Sequence, residues 1–377
     1  MQAPDEGLLD DAARLEAADP GGMLRQVASA AAQVRSAFQA TAETGFRDVI
    51  TGGRPRAIVV TGQGDAALAG ELLAAVCGPG CPVQVTVVRG YQLPGWVSAA
   101  DLVLAVSSSG ATAETMAVAE QAVRRGCRLA GAGAAGSPLA GLAEQARAPF
   151  VPVRPAGTSR GTLWGMAVPL VGVAARLGLC QADEAAHEAA AAVLEDISQR
   201  CRPDSEAFVN PAKELALALA GSLPLIWGSS ELAGLAARRF ASQLHQNAKY
   251  PARPGVLPEA VHNQAEMFVG PFAPGEDLVV GGIDFGDGEA GDTRLRLVML
   301  ADSEERPELT QCREATVALA AGRGIKVTEL AAAGGHPLTR LASLIQLTDY
   351  ATVYLGLALG ADPSSVAVIQ ELTAKIA

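Results

Sequence analysis

Ser107-Ser108-Ser109-Gly110-Ala111-Thr112-Ala113-Glu114-Thr115 follows directly on the apolar run Asp101–Val106 (DLVLAV). An apolar run that breaks into hydroxyls and a glycine, then resumes with helical spacing, predicts a strand, a tight turn and a helix. That geometry suits an anion. The free N–H groups of a helix start point outward, and the helix dipole favours negative charge there. The hydroxyls of Ser107, Ser109 and Thr112 offer three further donors. The same residues also suit an ordinary strand-to-helix turn in which Ser, Thr and Gly form the N-cap, and taken alone they leave both readings open.

Outward from this turn the chain alternates. Arg56–Gly62, Val83–Arg89, Asp101–Ser107 and Pro149–Val153 read as strands, with helical patterns at Ala66–Val76, Thr112–Arg125 and Leu139–Ala146 between them. Two long helices, Gly161–Leu179 and Ala182–Gln199, lead onward. The second half repeats the plan. Strands are expected at Leu223–Ser229, Leu278–Phe285, Leu295–Leu300 and Ile325–Leu330, and helices at Leu232–Gln246, Glu308–Gly322, Leu338–Leu359 and Ser364–Ala377, with a polar turn at Gly286–Thr293. Such alternation predicts an α/β fold: two αβα sandwich domains with mostly parallel sheets. An Ala-rich helical segment, residues 1–48, precedes them. The expected domains are 49–201 and 202–377, with the boundary near Arg202-Pro203-Asp204, where the helical pattern is interrupted.

Composition narrows the class. Hydrophobic residues make up 49% of the 377-residue chain and charged residues 18%, which predicts a large buried core. The positive mean hydropathy comes mainly from alanine. The best candidate span, Thr162–Leu179, is interrupted by Pro169 and Arg176, so no membrane partner is expected. A net charge of −11 argues against a nucleic-acid partner, which needs a basic face. Residues Met1–Glu6 are acidic and lack the basic-then-apolar pattern of a secretory leader. Of six cysteines only Cys77 and Cys81 are close, and no second pair completes a zinc set. They read as incidental thiols of a reducing cytoplasm, and neither a metal nor a cofactor is expected.

An ordered set of landmarks carries a resemblance. It comprises Gly62-Gln63-Gly64 with Gly70, Gly90-Tyr91-Gln92-Leu93-Pro94, the turn at 107–115, Arg160, Asn210-Pro211-Ala212-Lys213, Asn247-Ala248-Lys249, Pro258-Glu259, His262-Asn263, Asp349-Tyr350, and Gly360-Ala361-Asp362-Pro363 before a terminal helix. In this order the chain resembles the sugar isomerase (SIS) superfamily, and within it the bifunctional phosphoglucose/phosphomannose isomerases, over roughly residues 55–377. The resemblance implies a sugar phosphate as ligand, such as glucose 6-phosphate, mannose 6-phosphate or fructose 6-phosphate. It also implies a homodimer with a shared cleft. Ser107, Ser109 and Thr112 match the hydroxyls that hold the phosphate, and Gly64, Asp65 and Asn247 fall at sugar-binding positions. Arg160 matches the arginine that stabilises an enediolate. His262 matches the histidine that helps open the sugar ring, reaching in from the partner subunit.

Three departures set this chain apart. The family's catalytic base is a glutamate directly before Asn-Ala-Lys, and here that position is Gln246, sixteen residues ahead of His262. Glutamine can hydrogen-bond a sugar but cannot take up the proton that moves between C1 and C2, and losing a positioned base costs a factor of about 10²–10⁴ in rate. The family's C-terminal lysine is replaced by Thr373, while Lys375 lies roughly 200° around the helix axis from it. The phosphate-binding serine after the Gly-x-Gly turn is Ala66, preceded by Asp65. A carboxylate about 4 Å from a phosphate would cost about 4 kcal/mol at an effective dielectric of 20. Gln264 also replaces an acidic residue, leaving Glu259 and Glu266 as candidate substitute bases beside His262.

Two functions therefore stand against each other. One is a sugar-phosphate-binding protein of this family that is weak or silent as an isomerase. The other is an active aldose–ketose isomerase with a displaced base. A transcription regulator built on the same fold is excluded, because no basic helix-turn-helix segment is present.

Overall fold

The structure, a computed structural model, describes residues 3–274, 279–280, 283–284 and 294–376. It divides into two compact units. One comprises Ala28–Glu195 with His336–Thr339; the other comprises Met1–Val27, Asp196–Gly335 and Arg340–Ala377. The expected helical segment 1–48 is thus shared between them. Helices α1 (Glu6–Leu9), α2 (Ala12–Ala18) and most of α3 (Met23–Ala28) belong with the C-terminal half, whereas α4 (Ala30–Glu43) and α5 (Arg47–Thr51) open the other unit. The reason is local bonding: the Asp5 amide donates to the Ala358 carbonyl, and the Leu9 carbonyl accepts from Lys213 Nζ.

The unit of 28–195 is built on five parallel strands: β1 (Ala57–Thr61), β2 (Gln84–Val88), β3 (Leu102–Ser107), β4 (Arg128–Gly133) and β5 (Phe150–Pro152). Their order is β2-β1-β3-β4-β5. Every residue of β1 and β3 is buried. This is the continuous apolar run demanded of a parallel strand covered on both faces. One face, through Val59, Val103 and Ala105, packs on Val118, Ala119 and Ala122 of α7 (Ala113–Arg124) and Leu139 of α8 (Pro138–Gln145), which follow α6 (Asp65–Cys77). The other face meets α9 (Leu163–Arg176), where Leu104, Ala130 and Val151 lie against Pro169, Leu170 and Val173. Each fully buried Val or Leu contributes about 1.5–3 kcal/mol. Helix α10 (Glu184–Arg200) leads out of this unit.

The second unit carries a four-stranded parallel sheet. After α11 (Pro211–Leu219) come β6 (Ser222–Gly228), α12 (Glu231–Gln243), a π-turn over Leu244–Ala248, β7 (Arg253–Val256) and α13 (Glu259–Asn263). Two-residue strands β8 (Val279–Val280) and β9 (Ile283–Asp284) follow, then β10 (Arg294–Ala301), α14 (Pro307–Gly322), β11 (Lys326–Ala331), α15 (Pro337–Ala358) and α16 (Ala367–Ile376). The sheet order is β11-β10-β6-β7. Leu225, Trp227, Leu297 and Met299 build its core with Ala260, Phe268 and Ala320. The strand expected over Leu278–Phe285 is not part of this sheet. Its described residues form the antiparallel pair β8–β9, because Gly281-Gly282 interrupts the apolar run. Leu278, Phe285 and the turn Gly286–Thr293 lie outside the described residues. The fourth sheet strand is instead β7. Among the described residues no helix is long and apolar enough to cross a membrane.

Asn210 and Lys213 both have structural roles here. Asn210 Oδ1 accepts from the amides of Ala212 and Lys213 at 3.1 Å, capping α11. Lys213 is buried. Its ammonium donates to the carbonyls of Leu9, Pro203 (2.8 Å) and Ser205 (2.6 Å) and lies 5.5 Å from the Tyr354 ring centroid. Burial holds its pKa below the usual lysine value.

Candidate functional site

The turn after β3 gathers its hydroxyls as the sequence suggests. Ser107 Oγ lies 2.9 Å from Thr112 Oγ1 and 3.3 Å from Ser109 Oγ, and it accepts from the Gly110 amide at 3.0 Å. The Ala111 amide donates to Ser109 Oγ at 3.2 Å. Gly110 has φ +65°, and a Cβ there would lie 2.0 Å from Ser137 Oγ, so only glycine closes the turn this tightly. Thr112 is the N-cap residue of α7, but its side chain makes no capping bond. Its hydroxyl is committed to the cluster, and the first-turn amides of a twelve-residue helix have no side-chain cap. This arrangement favours the anion reading over the ordinary N-cap. Glu114 in that first turn pushes the exposed Tyr91 phenol above its usual pKa by charge.

The corresponding turn of the second unit is filled from within. Ser230 Oγ accepts from the Ala233 amide at 3.2 Å, capping α12, and donates to Asp302 at 2.7 Å. Ser229 Oγ accepts from the Asp302 amide at 2.8 Å, and Arg340 pairs with the same carboxylate at 2.9 Å. A built-in carboxylate with its own arginine occupies the place an external anion would take. No sequence signal short of the fold links Ser230 to a carboxylate seventy-two residues away.

Gly64, at φ +53°, precedes α6, and Asp65 is the buried first residue of that helix (6% exposed). A carboxylate in a first helical turn is favoured by the dipole. Arg160 sits in the 3-10 turn Ser159–Gly161 and is 2% exposed. These residues share the unit of Ser107, Ser109 and Thr112.

The remaining candidates lie in the other unit. Gln246 stands on the π-turn, half-buried, with Nε2 donating to Ser242 Oγ at 3.1 Å. A single π-turn shifts the side chains that follow it relative to a regular helix, and such turns recur at functional sites. Asn247 is buried, its Nδ2 donating to Gln243 Oε1 (3.0 Å) and Thr352 Oγ1 (2.9 Å). Gly356 of α15 admits the Asn247 carbonyl, which a Cβ would meet at 2.5 Å. Lys249, at φ +54°, ends the turn. Its ammonium donates to the carbonyls of Gln246 (2.5 Å) and Ser365 (2.9 Å). A groove of about 530 Å³ runs past His245, Gln246, Lys249 and Tyr250 to Ser365–Ile369.

His262 is exposed on α13. Glu259, also exposed, accepts from Asn263 Nδ2 at 2.8 Å, and Glu266 is exposed in the 3-10 turn that follows. Gln264 accepts from Trp227 Nε1 at 3.1 Å, a core-facing role. Thr373 is exposed on α16, its hydroxyl donating to the Ile369 carbonyl at 2.8 Å. Lys375 is paired with Glu371 at 2.6 Å. Among the described residues no group of three or more His, Cys, Asp or Glu side chains is arranged to hold a metal ion.

A parallel sheet in each half and a hydroxyl-lined turn at the end of β3 define a protein of the sugar isomerase (SIS) class. Residues 208–376 match the bacterial phospho-glucose isomerase C-terminal SIS domain. The bifunctional phosphoglucose/phosphomannose isomerase of Caldicellulosiruptor bescii is 31% identical over 320 residues, covering 85% of this chain and 89% of that protein. Its counterpart from Aquifex aeolicus is 25% identical over 286 residues, 76% of this chain and 79% of that protein. A hypothetical protein from Thermus thermophilus shares the fold with a TM-score of 0.72 at 19% identity, over 98% of this chain and 94% of that one. The chain belongs to the bifunctional phosphoglucose/phosphomannose isomerase family.

Proposed function

We propose that this protein binds an aldose or ketose 6-phosphate through the turn Ser107–Thr112 and is weak or silent as an isomerase. The observation that carries the binding half is the Thr112 hydroxyl, which joins Ser107 at 2.9 Å and leaves the start of α7 without a side-chain cap. Glucose 6-phosphate, mannose 6-phosphate and fructose 6-phosphate are the candidate ligands, in keeping with the activities named for the relatives.

The catalytic half rests on proton chemistry. Aldose–ketose isomerisation removes a proton from C2 and returns one to C1, or the reverse, through an enediolate. It needs a base for the proton and a cation for the developing oxyanion. Arg160 supplies the cation and His262 a donor for the ring oxygen, acting across a homodimer in the cytoplasm. Gln246 holds the base's position with an amide that donates to Ser242 and has no proton-accepting form at neutral pH.

The second reading, an active isomerase in which Glu259 or Glu266 serves as base, is favoured by the 31% identity to a protein named as an isomerase. A coupled assay on the purified protein separates the two. Turnover of about 1–10³ per second overturns the silent reading; binding of the sugar phosphates with turnover far below that range supports it.

A further inference from the structure

Three thiols that are scattered in sequence converge in the unit of 28–195. Cys77 is the last residue of α6, Cys81 follows the Gly78-Pro79-Gly80 turn, and Cys180 follows α9. Cys77 lies within side-chain hydrogen-bonding reach of both Cys180 and Cys81. Cys180 Sγ is 3.9 Å from the Val171 carbonyl, and Cys81 Sγ is 3.2 Å from the Val83 carbonyl. All three are half-buried, whereas Cys127 and Cys201 are buried. They are not arranged as a metal site. Contact among thiols at partly exposed positions has another use.

We propose that Cys77 and Cys180 form a redox-responsive pair that closes to a disulfide under peroxide. The Cys180 thiolate attacks the O–O bond of hydrogen peroxide. Its Sγ gains a hydroxyl as sulfenic acid, and the other oxygen leaves as hydroxide, which becomes water on taking up a proton. Cys77, deprotonated, then attacks Cys180 Sγ, forming the S–S bond and expelling the hydroxyl as a second water. Two thiols are oxidised, and one peroxide is reduced to two waters.

The order of events follows from the contact. Cys77 donates its S–H to Cys180, which holds the Cys180 thiol below its usual pKa and pushes Cys77 up, so Cys180 ionises first. The bridge would tie the end of α6, whose first residue Asp65 follows the Gly62-Gln63-Gly64 turn, to the segment after α9. Burial raises the pKa of Cys127 and Cys201, which keeps them protonated and serves as an internal control.

The test is mass spectrometry of the full chain after millimolar hydrogen peroxide, with remaining thiols blocked and the protein digested without reduction. The expected result is a peptide linking Cys77 to Cys180, lost on treatment with dithiothreitol. It should persist in Cys81→Ser and be absent from Cys180→Ser. Overturning results are six thiols that all remain open to blocking, a bridge made only between Cys77 and Cys81, or oxidation confined to Cys312. The wild-type measurement alone decides between these, so the outcome does not depend on how the variants fold.

Discussion

Ser107 and Thr112, five residues apart in sequence, bring their hydroxyl oxygens to 2.9 Å across the turn that Gly110 closes. A threonine at a helix N-cap would ordinarily spend its oxygen on an amide of its own first turn. Here that oxygen is diverted. Ser230 in the second unit shows the contrast, because it caps α12 and binds an internal carboxylate.

If that diversion serves an anion, removing hydroxyls weakens sugar-phosphate binding. A hydrogen bond to a charged group is worth about 1.5–3 kcal/mol. Ser109→Ala or Thr112→Val should therefore raise the Kd for fructose 6-phosphate by roughly 10- to 150-fold. Calorimetric titration at constant salt measures this. Ser230→Ala should leave the Kd unchanged, since its turn is already filled by Asp302.

Catalysis should respond to the base position. Gln246→Glu is expected to raise phosphoglucose and phosphomannose isomerase activity only in part, because Thr373 and Ala66 also depart from the family pattern. The triple change with Thr373→Lys and Ala66→Ser should exceed the single one. A wild-type rate already in the ordinary enzyme range would instead direct attention to Glu259→Gln and Glu266→Gln, one of which should then abolish activity.

Lys213 should prove a structural lysine. Lys213→Met removes the donor shared by the carbonyls of Leu9, Pro203 and Ser205. Leaving buried acceptors unmatched costs about 1–3 kcal/mol per group, so a loss of ~3 kcal/mol in urea unfolding is expected. Protease cleavage should appear early around α1 and α2, which that lysine helps to hold.

Acid should destabilise the protein through His187. Its ring packs 4.6 Å from Phe38, its Nδ1 donates to the Asp183 carbonyl at 2.8 Å, and Nε2 is buried with no hydrogen-bond partner. Burial holds its pKa below the ordinary value of 6.5, and the nearby His336 acts in the same direction. A folded-state pKa below the unfolded one means that the unfolded chain binds the extra proton as pH falls through 6.5. Stability is therefore full above that pH and declines below it. Thermal midpoints from pH 8 to 5 should show a slope that His187→Phe reduces.

Much of the fold was legible because parallel strands buried on both faces announce themselves as unbroken apolar runs. Ala57–Thr61, Leu102–Ser107 and Ser222–Gly228 fall where the sequence predicts strands. Arg253–Val256 gives no such signal. It contains Pro254 and Gly255, and it pairs on one side only, at the sheet edge, where a missing amide is tolerated. The apolar run at Leu278–Phe285 misled for the opposite reason: its composition suits a strand, but it has no place in the four-stranded sheet.

The sequence by itself determined the family, the order of landmarks and the identity of each departure. Residue types at fixed spacing are a one-dimensional property, and Gln246 is a glutamine whatever surrounds it. The tertiary structure decided what those residues do with their hydrogen bonds. It put Gln246 on a π-turn bonded to Ser242, freed the Thr112 hydroxyl from capping, closed the second turn with Asp302 and Arg340, and brought Cys180 to Cys77. Each of these depends on which groups the packed sheets and helices bring within about 3–4 Å of one another, and that distance is set by the fold rather than by separation along the chain.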